Sequence, residues 1–168
     1  DLVFFFTDKG SMYWLNAYEI PEGSRTSKGK AIINLINVDQ GELVKALLTV
    51  KKEDVERDDL FVVMATKSGH IKKTPLSAFK HLRKSGIKAI RIEENDDLVD
   101  VAITNGSFEI LMSSAKGMAC RFKEKDTRPM CSAARGVTGI RFKIAGDYLV
   151  SMLAINTGEV STNDSEET

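Results

Sequence analysis

The chain of 168 residues carries 24 Lys and Arg against 24 Asp and Glu, for a formal net charge of zero, and 42% of it is apolar. This suits one globular domain with a sizeable core, or several repeats sharing one. It excludes a transmembrane helix, because no apolar run approaches 18 residues. The first ten residues lack the basic, apolar, small-residue order of a signal peptide, so a cytoplasmic location is expected. Cys120 and Cys131 lack metal-ligand spacing and read as reduced thiols.

In chain order, "LVFFFTDKGSMYWL" predicts two short strands about a turn at Gly10. "SRTSKGKAIINL" around Gly29 brings small and basic residues before an Ile-rich run, and "GELVKALLTV" adds a strand after a Gly-acid turn. The charged insert "KKEDVERDD" then predicts a surface link. The same three marks return as "LFVVMATKSGHIKKT" at Gly69, "LRKSGIKAIRI" at Gly86 and "DDLVDVAIT". They return again as "FEILMSSAKGMACRF" at Gly117, "SAARGVTGIRF" at Gly136 and "GDYLVSMLAI". The first and second marks lie 19, 17 and 19 residues apart, and the first glycines 59 and 48 apart.

This is an internal repeat with a variable linker. Its runs of four to seven β-branched and aromatic residues are too short for helices. One helical turn is expected in "TPLSAFKHLRK", where Leu76, Phe79 and Leu82 share a face, and the Asn-Gly of "VAITNGSFEIL" predicts a hairpin. Four strands per 50 residues is the density of a propeller blade. The expected fold is all-β, with three four-stranded blades in repeats of about 2–50, 59–103 and 107–155 and an acidic linker over 156–168.

Charge alternates in blocks. Residues 60–92 carry +8 with no Asp or Glu, 93–109 carry −6 and 110–143 carry +6. Basic positions that recur in every unit suit the spaced phosphate contacts of a curved duplex. The candidate DNA ligands are Arg25, Lys28 and Lys30 in the first unit and Lys72, Lys73, Arg83 and Lys84 in the second. In the third they are Arg121, Arg128, Arg135 and Arg141. Backbone contact selects DNA by deformability rather than base sequence. Lys88, Lys123 and Lys143 read as solvent-facing residues, His70 and His81 as residues without a role, and Phe4, Phe5, Phe6, Tyr13 and Trp14 as core.

"VMATKSGHIKKTPLSAF" and "RGVTGIRF", with the anchors Ile20 and Phe79, resemble the C-terminal domain of the bacterial DNA gyrase A protein, from Leu2 to about Ile155. The resemblance implies a β-pinwheel, a propeller-like disc of six blades whose basic perimeter wraps double-stranded DNA. It further implies a part in a type IIA topoisomerase, an A2B2 heterotetramer in which a second gyrase A chain and the gyrase B chains join through other domains. ATP and Mg2+ would then be used in other domains, and ATP-driven strand passage would give negative supercoiling. The family's heptapeptide "QRRGGKG" does not occur; "GSRTSKG" keeps Arg25, Lys28 and Gly29, so the chain is expected to begin one blade after that box.

No catalytic residue or cofactor is expected within this stretch. "GSRTSKGKA" fails the phosphate-loop spacing, and Ala31 stands where Ser or Thr is required. Two alternatives stand beside this reading: the C-terminal domain of the paralogous topoisomerase IV C protein, and a propeller-like module that binds an acidic protein partner.

Overall fold

A computed structural model of the chain describes residues 1–158. The predicted tail "STNDSEET", and most of the predicted acidic linker, lie outside the described residues. Among the described residues, eleven strands form three antiparallel sheets. The first sheet holds β1 (Leu2–Thr7), β2 (Ser11–Asn16), β3 (Val44–Val50) and the two-residue β6 (Ile87–Lys88), in the order β3-β1-β2-β6. The second holds β4 (Phe61–Thr66), β5 (His70–Pro75), β7 (Leu98–Thr104) and β10 (Val137–Thr138), in the order β10-β5-β4-β7. The third holds β8 (Glu109–Ser114), β9 (Ala119–Lys123) and β11 (Leu149–Ile155), in the order β11-β8-β9. Among the described residues there is no α-helix, and no helix long and apolar enough to cross a membrane.

The sheets stack face to face as blades, which explains why the central strands read as unbroken apolar runs. Along β4, Val62 and Met64 face the first blade while Val63 and Ala65 face the third. Along β1, Phe4 and Phe6 enter the core shared with the second blade, and Phe5 packs with Tyr13, Leu15 and Ile36 on the opposite face. The closing strands β3, β7 and β11 pack against one another in turn, so the blades converge there. The edge strands β6 and β10 therefore lie on the perimeter.

The three aligned glycines occupy equivalent turns. The amides of Gly10, Gly69 and Gly117 donate to Thr7, Thr66 and Ser114 carbonyls at 3.0, 2.9 and 3.2 Å, with φ of 83°, 90° and 84°. The second marks behave differently from the expectation of self-contained blades. Those of the second and third units leave their own unit and become the outer strand of the preceding blade: β6 pairs with β2, and β10 with β5. The third sheet accordingly has three strands among the described residues, not four. In the first unit the corresponding stretch forms a 3-10 turn at Ile32–Asn34 that packs on Tyr13 and Leu15.

Three further expectations are modified. The Asn-Gly link is not a hairpin, because β7 pairs with β4 while β8 pairs with β9 and β11. Gly106 does take a positive φ of 91°, and Asn105 Oδ1 accepts the Ser107 amide at 3.1 Å, so the local turn forms but joins two blades. The helical turn is a 3-10 segment, Leu76–Phe79, that buries Leu76 and Phe79. The "KKEDVERDD" link is exposed apart from Val55, which enters the core between the first two blades, and the half-buried Asp54.

Candidate nucleic-acid interface

The second marks create the perimeter. Gly29, Gly86 and Gly136 share one alignment column and one backbone state, with φ of 69°, 87° and 96°. Basic side chains cluster on either side of them. Residues 21–31 form an exposed loop carrying Arg25, Lys28 and Lys30. Arg83 and Lys84 are exposed immediately before β6, and Arg135 is exposed just before β10. Arg141 is exposed five residues after Gly136. Arg128 is exposed in the loop ahead of Pro129.

Several of these cations already have neighbours. Lys84 Nζ lies 3.4 Å from Glu19 Oε1 and 5.0 Å from the centre of the Trp14 ring. The Asn16 amide and side chain, assisted by Lys84, hold the Glu19 carboxyl below its ordinary range. Arg121 on β9 lies 3.3 Å from Glu109. These exposed pairs are weak and salt-screened, so they leave the cations available to another anion.

Lys72 and Lys73 correct the sequence expectation. They are 0% and 4% exposed and cannot reach a duplex. β5 is an interior strand covered on both faces, and the two side chains point to opposite neighbours. Lys72 Nζ donates to Ala89 O at 2.5 Å and to Ser132 O, tying together the second marks of two units. Burial pushes its ammonium down to about 8, partly offset by Cys131. Lys73 Nζ reaches Glu124 Oε1 at 3.7 Å and stands 4.6 Å from the Phe61 ring centre. Glu124 in turn accepts the Thr104 hydroxyl at 2.5 Å and the Phe108 amide at 3.1 Å, forming a buried strut between the second and third blades.

Alignment columns carried the signal for this burial. Lys72 and Lys73 share columns with Tyr13 and Trp14, which the first unit uses for packing. Arg121 belongs to the same column as Trp14 and Lys73, and it is exposed on a sheet whose outer edge carries no fourth strand among the described residues. On the rim, the exposed Arg91 escaped the sequence reading, although it stands in the column of Arg141, five residues after Gly86. Among the residues read as having no role, His70 joins the chain Asp96–Ser68–His70–Arg135. Phe4, Phe5, Phe6 and Tyr13 are buried as expected, and Trp14 is half-buried.

The acidic turns ahead of β7 and β11 brace the Gly69 and Gly117 turns. Asp96 Oδ1 accepts the Ser68 amide at 2.8 Å, and Asp147 Oδ1 accepts the Lys116 amide at 2.9 Å. Burial alone would raise the Asp96 carboxyl. Hydrogen bonds from the Ser68 and Thr66 hydroxyls and from the Ser68 and Asp97 amides instead hold it below its ordinary range.

Comparison with known proteins places these features. Residues 1–51, 61–105 and 109–156 match the family described as DNA gyrase C-terminal domain, beta-propeller. Each matched stretch contains the first, second and closing strands of one sheet. The DNA gyrase A protein of Haloquadratum walsbyi is 40% identical over 157 residues, 93% of this chain and 18% of that protein. That of Clostridium acetobutylicum is 45% identical over 137 residues, 82% of this chain and 16% of that protein. The chain thus spans under a fifth of the length of these relatives. Among solved structures, the C-terminal domain of DNA topoisomerase IV overlays with a TM-score of 0.81 at 30% identity, over 94% of this chain and 48% of that one. A DNA gyrase A C-terminal domain gives 0.74 at 28% identity, over 92% and 47%.

Proposed function

The chain belongs to the DNA gyrase C-terminal domain family of beta-propellers, and from that premise we propose that it is a non-catalytic module that binds and bends double-stranded DNA along its perimeter. The carrying observation is the recurrence of exposed cations beside Gly29, Gly86 and Gly136, which become successive points along one rim. Arg25, Lys28, Lys30, Arg83, Lys84, Arg91, Arg135 and Arg141 supply the phosphate contacts, with Arg121 and Arg128 nearer the third blade. Contacts spaced by whole blades favour a curved duplex over a straight one, so affinity resides in backbone charge and deformability.

The module's repeats run over about 2–50, 59–103 and 107–155. Within a whole gyrase, a cytoplasmic A2B2 topoisomerase, it presents a bent segment for strand passage. ATP and Mg2+ act in other domains, and the result is negative supercoiling. The sequence relatives are gyrase A proteins and favour this assignment over topoisomerase IV, although the topoisomerase IV domain gives the higher structural overlap.

Ligation of nicked circular DNA in the presence of the full-length protein tests the reading. Wrapping shifts the linking number of the closed product, and affinity rises with duplex length until the rim is filled. Short and long duplexes bound equally well, with no linking-number shift, would overturn it. Tight binding to an acidic protein without binding to duplex would favour the interaction-module alternative.

A further inference from the structure

We propose that Arg91 and Arg135 form a phosphate clamp at the rim between the first and second blades, and that Glu93 is a built-in anion which a DNA phosphate must displace. The proposal rests on the DNA-wrapping reading above and adds a regulated subsite to it. Arg91 follows the outer strand of the first blade, and Arg135 precedes that of the second. The Arg91 amide donates to Ala134 O at 3.1 Å, so the two loops meet through their backbones.

A single carboxylate oxygen, Glu93 Oε1, lies 3.9 Å from Arg91 Nε and 3.5 Å from Arg135 Nη1. Neither contact has the geometry of a hydrogen bond, so the carboxylate is held by charge rather than by directed bonds. The three side chains are 71%, 50% and 53% exposed for Arg91, Glu93 and Arg135, which keeps the pairs weak and the site open to solution. A phosphate offers planar guanidinium forks better geometry than this loose contact.

Arg135 is held from behind. Its Nη2 lies 3.4 Å from His70 Nε2, and a guanidinium has no acceptor, so the ring nitrogen accepts. His70 Nδ1–H then donates to Ser68 Oγ at 2.7 Å, and Ser68 Oγ–H donates to Asp96 Oδ2 at 2.5 Å. This chain orients the guanidinium before any ligand arrives.

The repeat makes Glu93 distinctive. In the third unit Arg141 stands in the column of Arg91, but Lys143 stands in that of Glu93; in the first unit the two columns hold Asn34 and Ile36. Only the second unit places an anion at the arginine. The rim is therefore uneven, and at its first joint a phosphate displaces one carboxylate shared by two arginines, where Glu19 and Glu109 each face a single cation.

The test uses the full-length protein and a mixed-sequence duplex titrated across salt concentrations. Glu93→Gln is expected to tighten binding about two- to five-fold and to steepen the slope of log affinity against log salt by up to about 0.9. Glu94→Gln removes the same charge from an exposed neighbour outside the cluster and is expected to do less. In an Arg91→Gln/Arg135→Gln background, which itself binds more weakly, Glu93→Gln should have no effect. Equal effects of Glu93→Gln and Glu94→Gln, or a Glu93 effect that persists without the arginines, would show only general charge and overturn the clamp. A response to Arg83 and Lys84 substitutions with none at Arg91, Glu93 or Arg135 would sink the clamp and leave wrapping intact. No duplex binding by the parent protein would sink both. All three side chains are exposed, and circular dichroism verifies that each variant is folded.

Discussion

The carbonyl of Gly10 accepts the Ala89 amide at 2.8 Å, and the same contact recurs one blade on, where Gly69 O accepts the Gly139 amide at 2.8 Å. Each of these turn glycines thus clasps the second mark of the following unit. The repeat is interlocked, and its first two blades gain their outer strands from their neighbours.

That clasp makes equivalent glycines unequal. A Cβ on Gly69 would lie 2.7 Å from Ile140 O, and one on Gly10 2.3 Å from Ile90 O, whereas one on Gly117 meets nothing within 4 Å. All three have a positive φ, between 83° and 90°, so alanine at each bears the left-handed cost of about 1–2 kcal/mol. Chemical denaturation should show Gly117→Ala losing about that much and Gly10→Ala or Gly69→Ala at least twice as much. Equal losses at all three would contradict the interlock.

The turns were legible in the sequence because each is a local event: Thr or Ser, two residues, and a glycine at positive φ. The interlock was not, since a stretch 17 or 19 residues downstream of a turn can reach its own sheet or the adjacent one. Asn105-Gly106 teaches the same distinction. Its chemistry bends the chain as expected, yet pairing of β7 and β8 is decided by the cores that Val101 and Ile110 enter. Lys72 and Lys73 misled because a run of like charge reads as a solvated face, while strand alternation within a two-sided sheet buries both. Arg91 could have been found from the column of Arg141.

Burial of Lys72 gives a signature in pH. Its folded-state value of about 8 lies below the ordinary lysine value of about 10.4, so between those limits the unfolded chain binds more protons. Stability contributed by this residue therefore rises with pH across that window and is flat below it. The difference in unfolding free energy between the parent and Lys72→Met should climb from pH ~8 to ~10.4. A difference that falls over this range would show that the ammonium is favoured, not disfavoured, by its carbonyl cage. At neutral pH the substitution should also cost about 1–3 kcal/mol through the undonated carbonyls of Ala89 and Ser132.

The Lys73–Glu124 strut should behave as a buried pair. Glu124→Ala removes the carboxylate beside Lys73 and strands the Thr104 hydroxyl and the Phe108 amide, while Lys73 Nζ keeps its bond to the main-chain carbonyl of residue 124 at 3.3 Å; a loss of about 3–5 kcal/mol is expected. Glu124→Gln keeps acceptor and donor groups in place and should lose less. Duplex affinity per folded molecule should be unchanged in either variant, because neither Lys73 nor Glu124 reaches the rim.

The basic run from Gly69 to Ile92 is therefore two populations, and counterion release separates them. Lys72 and Lys73 hold the blades together; Arg83 and Lys84 stand exposed before β6. Neutralising Arg83 and Lys84 to Gln should weaken binding to duplex of any sequence and lower the salt slope by about 0.9 for each lost contact, so by no more than about 1.8. Lys84 begins from a pair with Glu19, so its share should grow in a Glu19→Gln background, where the cation has no competing carboxylate. Substituting Lys72 and Lys73 instead should lower stability while leaving the slope of the folded fraction at its parent value. If those two buried lysines shift the slope as much as Arg83 and Lys84 in a protein that remains folded, then β5 opens when DNA binds and the division of the run into struts and contacts is wrong.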